Sequence, residues 1–154
     1  MIAYDVVAEN DEVGRSAVDD AKRKEQVQMA RKHVFVVDSA GAFLSLARDL
    51  LQDEAYNVTT TNYVPRTFDQ IAALGPDLLV VDLAVGQRAG WDLLEQLQAG
   101  ALTHDIPVVV TSTDPRMLAR AERYRERFGG RRWFAKPYDL DGLLAAVREL
   151  TGPA

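Results

Sequence analysis

Polar side chains follow four of the apolar runs in this sequence, each at the point where the run ends. They are Asp38 with Ser39 beside it, then Asp82, Ser112 and Lys136. If the runs are parallel strands, these groups meet at one edge of a sheet, where ligands bind in such folds. Two carboxylates, a hydroxyl and an ammonium suit an anionic, phosphate-like group, and a carboxylate can accept a phosphoryl group as an aspartyl phosphate. The sequence therefore predicts a phosphoryl-handling site at that edge.

The elements that must position these residues alternate, from residue 33 onward, between short β-branched runs and longer stretches with helical periodicity. This alternation is typical of βα units around the parallel sheet of an α/β protein. The third strand, Leu78–Asp82, is apolar up to its last residue and is predicted to be the centre of the sheet. The predicted strands are 33–38, 57–60, 78–82, 108–112 and 133–135, and the predicted helices are 41–54, 65–74, 91–99, 115–128 and 140–150.

Composition excludes several classes of protein. The chain has 154 residues, 47% of them hydrophobic and 27% charged, which fits one globular domain with a packed core. Because it contains no cysteine, disulfides, thiolate zinc sites and cysteine nucleophiles are excluded. No stretch approaches the ~20 apolar residues of a membrane span, and the N-terminus lacks the pattern of a signal peptide. A cytoplasmic protein without membrane contact is therefore expected.

Residues 1–32 differ from the rest, because they are polar and show no sustained strand or helix stripe through Gly14. Ser16 followed by Asp19 resembles a capping box, so a helix is predicted at about 17–31, after a mobile arm. This extension could join two copies of the chain in a homodimer, shield the surface that carries output, or have no ordered role. The predicted parts of the chain are an arm and helix (1–32), a folded domain (33–151) and a tail (152–154).

The strings VFVVDS, PDLLVVDLAVGQRAGWDLL, IPVVVTSTD and WFAKP resemble a receiver domain of bacterial two-component response regulators, in particular the single-domain chemotaxis regulator. The resemblance covers residues 33–151 and extends to spacing. Ser112 lies 30 positions after Asp82, and Lys136 lies 24 positions after Ser112. Gly90 lies eight positions after Asp82, where the family has a loop glycine. The resemblance implies a flavodoxin-like, doubly wound sheet of five parallel strands in the order 2-1-3-4-5, with helices on both faces and an N-terminal helical extension.

Residue by residue, the resemblance implies the parts of a phosphorylation switch. Asp82 corresponds to the phospho-acceptor, and Asp38 to the first of the family's two paired acids. Together with the backbone carbonyl of Ala84, these carboxylates would hold Mg²⁺. Ser112 corresponds to the Ser/Thr whose hydroxyl contacts the phosphoryl group. Taken alone, Asp38 could instead cap the helix that follows it.

Two further residues take family roles, and three positions depart from the family's pattern. Lys136, with a cis bond to Pro137, corresponds to the lysine that pairs with the phosphoryl group. Trp133 corresponds to a switching aromatic that is usually Tyr or Phe, but it is bulkier and lacks a phenolic hydroxyl, so its inward rotation is not expected. Ser39 occupies the second acidic position, so Mg²⁺ is expected to bind more weakly than in the family. Binding is still expected, because one or two carboxylates are enough to hold Mg²⁺. Gly86 stands where a proline is common, which loosens the loop after the acceptor.

Two functions of different class fit these residues. In the first, a stand-alone receiver protein, not an enzyme, takes a phosphoryl group from a histidine kinase or phosphotransfer protein onto Asp82 and signals by binding a downstream protein. In the second, a pseudo-receiver binds partners without phosphorylation, because Ser39 replaces a metal-binding acid. A phosphohydrolase with an aspartyl nucleophile fits less well, because position 84 is alanine rather than a second acid.

A basic helical stretch is the candidate output surface. Residues 113–136 hold eight Lys/Arg against three acids in a chain of net charge −5. In receiver domains this region belongs to the face that carries output, and the alternative is a solvated helix face. Nucleic-acid binding is not expected, because no reader motif accompanies the arginines. The arginines at helical spacing are Arg116, Arg120, Arg123 and Arg127.

Overall fold

The structure is a computed structural model that describes residues 8–84, 88–123, 132–135 and 140–152. The chain divides into two compact units, Met1–Arg31 and Lys32–Ala154. Within the described residues, no helix combines the length and the apolar character needed to cross a bilayer. In chain order the elements are α1 (Ala8–Ala30), β1 (His33–Val37), α2 (Gly41–Asp53), β2 (Asn57–Thr61), α3 (Thr67–Leu74), β3 (Leu78–Asp82), α4 (Ala89–Ala99), β4 (Val108–Ser112), α5 (Pro115–Arg123), β5 (Arg132–Ala135) and α6 (Leu140–Thr151).

The second unit contains a sheet of five parallel strands in the order β2-β1-β3-β4-β5. This confirms the predicted α/β fold and its flavodoxin-like strand order. β3 lies at the centre and all five of its residues are buried, as its apolar run predicted. The carboxyl ends of β1, β3 and β4 therefore meet at one edge, and this places the residues that end those runs side by side.

Side chains alternate between two core clusters, one on each face of the sheet. Phe35 and Leu79 pack with residues of α3, α4 and α5, whereas Val36 and Val80 pack with residues of α2 and α6. Successive strand residues point to opposite faces, so a strand buried on both faces reads as a continuous apolar run. Helices cover both faces of the sheet, which makes the fold doubly wound.

The first unit corrects the prediction for the N-terminal residues. The helix was expected at about 17–31, but α1 already includes Ala8 and ends at Ala30. Ser16 therefore lies inside the helix and cannot form the predicted capping box, which needs a residue at the helix start. The stretch before it contains a single glycine and no proline, and an interior glycine costs a helix only about 1 kcal/mol.

Two other helices start at a different residue from the one predicted. α3 begins at Thr67 rather than Pro65, because the Thr67 hydroxyl donates to the Val64 carbonyl at 2.9 Å and closes a turn before the helix. α4 begins at Ala89, two residues before the predicted start. The last part of the helix predicted over 115–128 falls in 124–131, outside the described residues.

His33, at the start of β1, contacts Asp77 and Thr59. Its backbone N–H donates to Asp77 Oδ2 at 2.7 Å, and its imidazole Nε2 lies 2.8 Å from the Thr59 hydroxyl. Partial burial lowers the pKa of the His33 imidazole from its ordinary 6.5, although the Asp77 carboxylate opposes the shift. Folding therefore favours the neutral ring. The resulting stabilisation is complete above the unfolded-state pKa and is lost as pH falls toward the folded-state value.

We expect His33→Gln to flatten the loss of stability between about pH 7.5 and pH 5.5. The measurement is the free energy of unfolding by urea at several pH values for both proteins. Carboxylates elsewhere affect the two proteins equally, so the difference between the curves isolates the imidazole. Parallel curves would show that His33 titrates alike in the folded and unfolded chains.

Candidate functional site

Two buried carboxylates occupy neighbouring strand ends. Val37 of β1 pairs in register with Val81 of β3, so the next residues, Asp38 and Asp82, leave the sheet side by side. Asp38 is 1% exposed and Asp82 is 6% exposed. Burial of a carboxylate is costly unless hydrogen bonds or a cation compensate its charge. The structure therefore brings together the two acids that the sequence placed at one edge.

The Asp38 carboxylate bonds to the backbone just ahead of α2. Its Oδ1 accepts a hydrogen bond from the Ala40 N–H at 2.8 Å. The N-cap position of α2 is Ala40, which has no side-chain cap bond, so Asp38 does not cap the helix. It stabilises the turn between β1 and α2 instead. Ser39, between these two residues, is exposed.

Thr111 contacts the Asp82 carboxylate, and the sequence analysis did not single it out. Thr111 lies opposite Asp82 in the β3–β4 register, and its hydroxyl donates to Asp82 Oδ1 at 3.0 Å. Thr111 is fully buried, so the bond is shielded from water. A threonine is common in a strand of β-branched residues, so Thr111 did not stand out in the sequence. The one sequence feature that could have indicated its role is that two hydroxyl residues in succession, Thr111 and Ser112, end β4.

The Ser112 hydroxyl joins the ends of two strands. It donates to the Leu83 carbonyl at 2.9 Å and accepts from the Asp114 N–H at 3.1 Å. Asp114 in turn caps α5, since its Oδ1 accepts a hydrogen bond from the Arg116 N–H at 2.9 Å. Contact between Ser112 and a phosphoryl group stays a prediction, because its hydroxyl here bonds to backbone groups.

Tyr63, in the loop between β2 and α3, is a second site residue that sequence reasoning missed. It is half-buried, and its hydroxyl donates to the backbone carbonyl of Asp82. Burial raises the pKa of the Tyr63 phenol well above its usual range, and the nearby carboxylates of Asp82 and Asp38 raise it further. The phenol therefore remains a protonated donor throughout the ordinary pH range. Nothing in the sequence around Tyr63 indicated this contact.

Gly90 allows these groups to approach one another. A Cβ at this position would lie 2.9 Å from the Asp82 carbonyl oxygen and 3.0 Å from the Tyr63 hydroxyl oxygen. Real Cβ atoms essentially never approach a backbone oxygen below 3.0 Å. The start of α4 can therefore pack against the end of β3 only with glycine here, which gives a physical reason for the spacing of eight from Asp82.

The donors at this edge suit a hard cation such as Mg²⁺. Asp38 and Asp82 provide buried carboxylate oxygens, and Ala84, two residues after Asp82, is half-buried. The part of the chain that the structure describes holds no group of three or more His, Cys, Asp or Glu residues suited to a metal. Mg²⁺ keeps several waters and needs only one or two carboxylates, so the pair fits it while offering few protein ligands.

Several predicted residues lie outside the described part of the chain. These are Lys136, Pro137, Gly86 and Arg127. Trp133 belongs to β5, where its backbone is the register partner of Val110, but its side chain is not among those described.

The remaining predicted arginines lie on α5 and are exposed. Arg116 forms an ion pair with Asp114 at 3.2 Å, and the Arg120 guanidinium lies 5.2 Å from the centre of the Trp91 ring. That distance is within the range of a cation–π interaction. On the other side of α5, Ala121 is fully buried in the core. The helix is therefore amphipathic, with its arginines exposed to solvent.

Comparison with known proteins agrees with this architecture. The family model for the response regulator receiver domain matches residues 34–148. The chain is 28% identical to the regulatory protein VirG of Agrobacterium tumefaciens over 117 residues, which cover 76% of this chain and 42% of VirG. It is 22% identical to the polar-differentiation response regulator DivK of Brucella ovis, with coverage of 80% and 98%. The chain spans about half the length of VirG and of the rice two-component response regulator ORR4.

Solved structures show the same fold. The solution structure of a response regulator from Burkholderia multivorans matches with a TM-score of 0.62 and 25% identity, covering 80% of this chain and 98% of that one. The chemotaxis protein CheY4 of Vibrio cholerae matches with a TM-score of 0.67 and 18% identity, covering 79% and 99%.

Proposed function

Since this chain belongs to the response regulator receiver domain family, we propose that it accepts a phosphoryl group on Asp82 from a histidine kinase or a phosphotransfer protein. The observation that carries the proposal is a nearly buried carboxylate at the end of the central strand, beside a second buried carboxylate on β1. Receiver domains serve phosphoryl acceptance and signalling in two-component systems, and this arrangement supplies an acceptor for that step.

In the proposed reaction, an oxygen of the Asp82 carboxylate attacks the phosphorus of the donor. The bond from phosphorus to the donor nitrogen breaks, the imidazole of the donor leaves, and an acyl phosphate forms on Asp82. The Thr111 hydroxyl holds the carboxylate by its Oδ1, so the acceptor reacts from one fixed orientation. The Ala40 N–H holds the Asp38 carboxylate in the same way.

The negative charge of the transferred group must be offset, and we assign this to three parts of the site. Receiver domains generally bind Mg²⁺ at the acidic site, and Asp38, Asp82 and the Ala84 carbonyl would hold it here. When bound, the cation neutralises charge on the phosphoryl oxygens. Lys136 would supply a further positive charge. Ser112 would contact the phosphoryl group after giving up its bond to the Leu83 carbonyl.

Signalling would pass to a downstream protein through the arginine-bearing face of α5, with Trp133 at the position of the family's switching aromatic. We propose residues 33–151 as the receiver domain, 1–32 as an N-terminal arm and helix that could form a homodimer, and 152–154 as a tail. We also propose that the protein acts as a stand-alone receiver in the cytoplasm. The stand-alone action has support from DivK, because the matched segment covers 98% of that response regulator.

A pseudo-receiver is the second candidate, and a specific observation favours it. Ser39 is exposed at the position of the second acid, so the site has two carboxylates where the family has three. A chain that binds partners without phosphorylation would keep the fold and the α5 face but would not need the metal.

The experiment that separates the two is incubation with acetyl phosphate or phosphoramidate and Mg²⁺, followed by intact-mass measurement. The wild type is expected to gain one phosphoryl group, and Asp82→Asn is expected to gain none. Asp105→Asn is the matched control, because that side chain is 92% exposed in a loop, and it should behave as the wild type. An unmodified wild type at high donor and metal concentration would favour the pseudo-receiver, and a modified Asp82→Asn protein would place the acceptor elsewhere.

A further inference from the structure

The carbonyl of Asp82 points away from β4. The Leu83 N–H donates to the Thr111 carbonyl of β4 at 2.7 Å. In a trans peptide the N–H of one residue and the carbonyl of the residue before it point in opposite directions. The Asp82 carbonyl is therefore directed toward the β1 side of β3. The β1–β3 register ends at the pair of Val37 and Val81, so this carbonyl lies just beyond the last paired residues of the two strands.

Tyr63 donates a hydrogen bond to this carbonyl. The loop after β2 reaches across the end of β1, which lies between β2 and β3 in the sheet, and brings the Tyr63 hydroxyl to the Asp82 carbonyl. The Tyr63 ring packs against the core cluster that includes Leu93 of α4. The ring and the hydroxyl of Tyr63 therefore make separate contacts, so the ring packing remains if only the hydroxyl is removed.

The contact joins three segments at the acceptor. They are the end of β3, the loop after β2, and the start of α4 at Gly90, where a Cβ would meet both oxygens of the hydrogen bond. A change in the direction of the Asp82 peptide would break the bond to Tyr63 or shift the start of α4. This peptide links the Cα of Asp82, which carries the acceptor carboxylate, to the backbone of Leu83 and Ala84. Its orientation therefore determines where the acceptor carboxylate and the Ala84 carbonyl lie.

We propose that Tyr63 is a positioning residue for the phospho-acceptor, acting through its hydrogen bond to the backbone carbonyl of Asp82. The proposal rests on the proposed function of Asp82. Tyr63 does not react with the phosphoryl group; it holds the peptide from which the reacting carboxylate projects.

The test compares Tyr63→Phe with Tyr56→Phe. Tyr56 is 6% exposed and packs in the core cluster on the other face of the sheet. Tyr56→Phe therefore also removes a phenolic oxygen, but on the other side of the sheet from Tyr63. We expect Tyr63→Phe to form the phosphoryl adduct roughly three- to tenfold more slowly with acetyl phosphate, as for the loss of one net hydrogen bond. Tyr56→Phe is expected to react at the wild-type rate.

A second measurement needs neither donor nor metal. Amide hydrogen exchange, followed by NMR, is expected to accelerate at Leu83 in Tyr63→Phe by a similar factor, relative to the Val36 amide in β1. Equal Leu83 exchange in the two variants would overturn the proposal, and so would faster exchange with an unchanged rate of adduct formation. If the wild type forms no adduct, the proposed function fails, and the Leu83 exchange alone decides whether Tyr63 positions the Asp82 peptide.

Discussion

Ser39→Asp is expected to lower the Mg²⁺ concentration at half-saturation by at least about tenfold, because it adds a third carboxylate where two are present. Asp38 and Asp82 are both buried at this edge, whereas Ser39 is exposed next to Asp38. A carboxylate at position 39 would carry a full negative charge beside the cation, and the gain in Coulomb energy outweighs its partial desolvation. Without the cation, three carboxylates repel one another, so the variant should be less stable than the wild type in chelator and regain stability with Mg²⁺.

The measurement is a Mg²⁺ titration followed by tryptophan fluorescence, since Trp91 lies in the first turn of α4 and is 9% exposed. Ser45→Asp is the matched control, because Ser45 is exposed on α2, where its hydroxyl donates to the Gly41 carbonyl at 3.2 Å. It should bind Mg²⁺ as the wild type does. Equal affinity of Ser39→Asp and the wild type would show that position 39 does not face the metal, and would contradict the alignment of β1 with the family.

Gly90→Ala is expected to destabilise the folded protein by about 1–3 kcal/mol, the usual cost of forcing an extra methyl into a packed site. The added Cβ would lie 2.7 Å from Leu83 Cδ2 and 2.9 Å from the Asp82 carbonyl oxygen. The leucine side chain can rotate, but the carbonyl belongs to the central strand and cannot move without disturbing the sheet. The same Cβ would press on the Tyr63 hydroxyl, so phosphoryl acceptance should fall together with stability.

Urea unfolding of Gly90→Ala and Gly41→Ala provides the comparison. Gly41 begins α2 with no atom within 4 Å of the position of a Cβ, so alanine there should be neutral or stabilise the protein by up to about 1 kcal/mol. Opposite signs for the two substitutions are the expected result. A Gly90→Ala protein as stable as the wild type would mean that α4 can move away from β3 at little cost, and would weaken the argument for tight packing around the acceptor.

Periodicity predicted most of the fold because it is a local property of the chain. The run Leu78–Asp82 was recognised as the central strand because a strand buried on both faces must be apolar throughout. The predicted start of α1 was wrong, and the reason is also local. Ser16 resembles a helix start, but helix formation continues through it to Ala8, and propensities differ too little to fix a boundary.

The sequence by itself determined that Asp38 and Asp82 lie at one edge of the sheet, since parallel strands align their carboxyl ends and the polar residue that ends each run must lie there. That their strands are neighbours was implied by the family resemblance and is shown by the β1–β3 register. It could not determine what else touches Asp82. Thr111 is 29 residues from Asp82 in the chain and Tyr63 is 19, and neither contact follows from a repeat or a motif. The Thr111 contact depends on the β3–β4 register, and the Tyr63 contact on a loop that crosses the end of β1. Both are decided only when the sheet has formed, because hydrogen bonds between distant residues require the whole backbone to be in place.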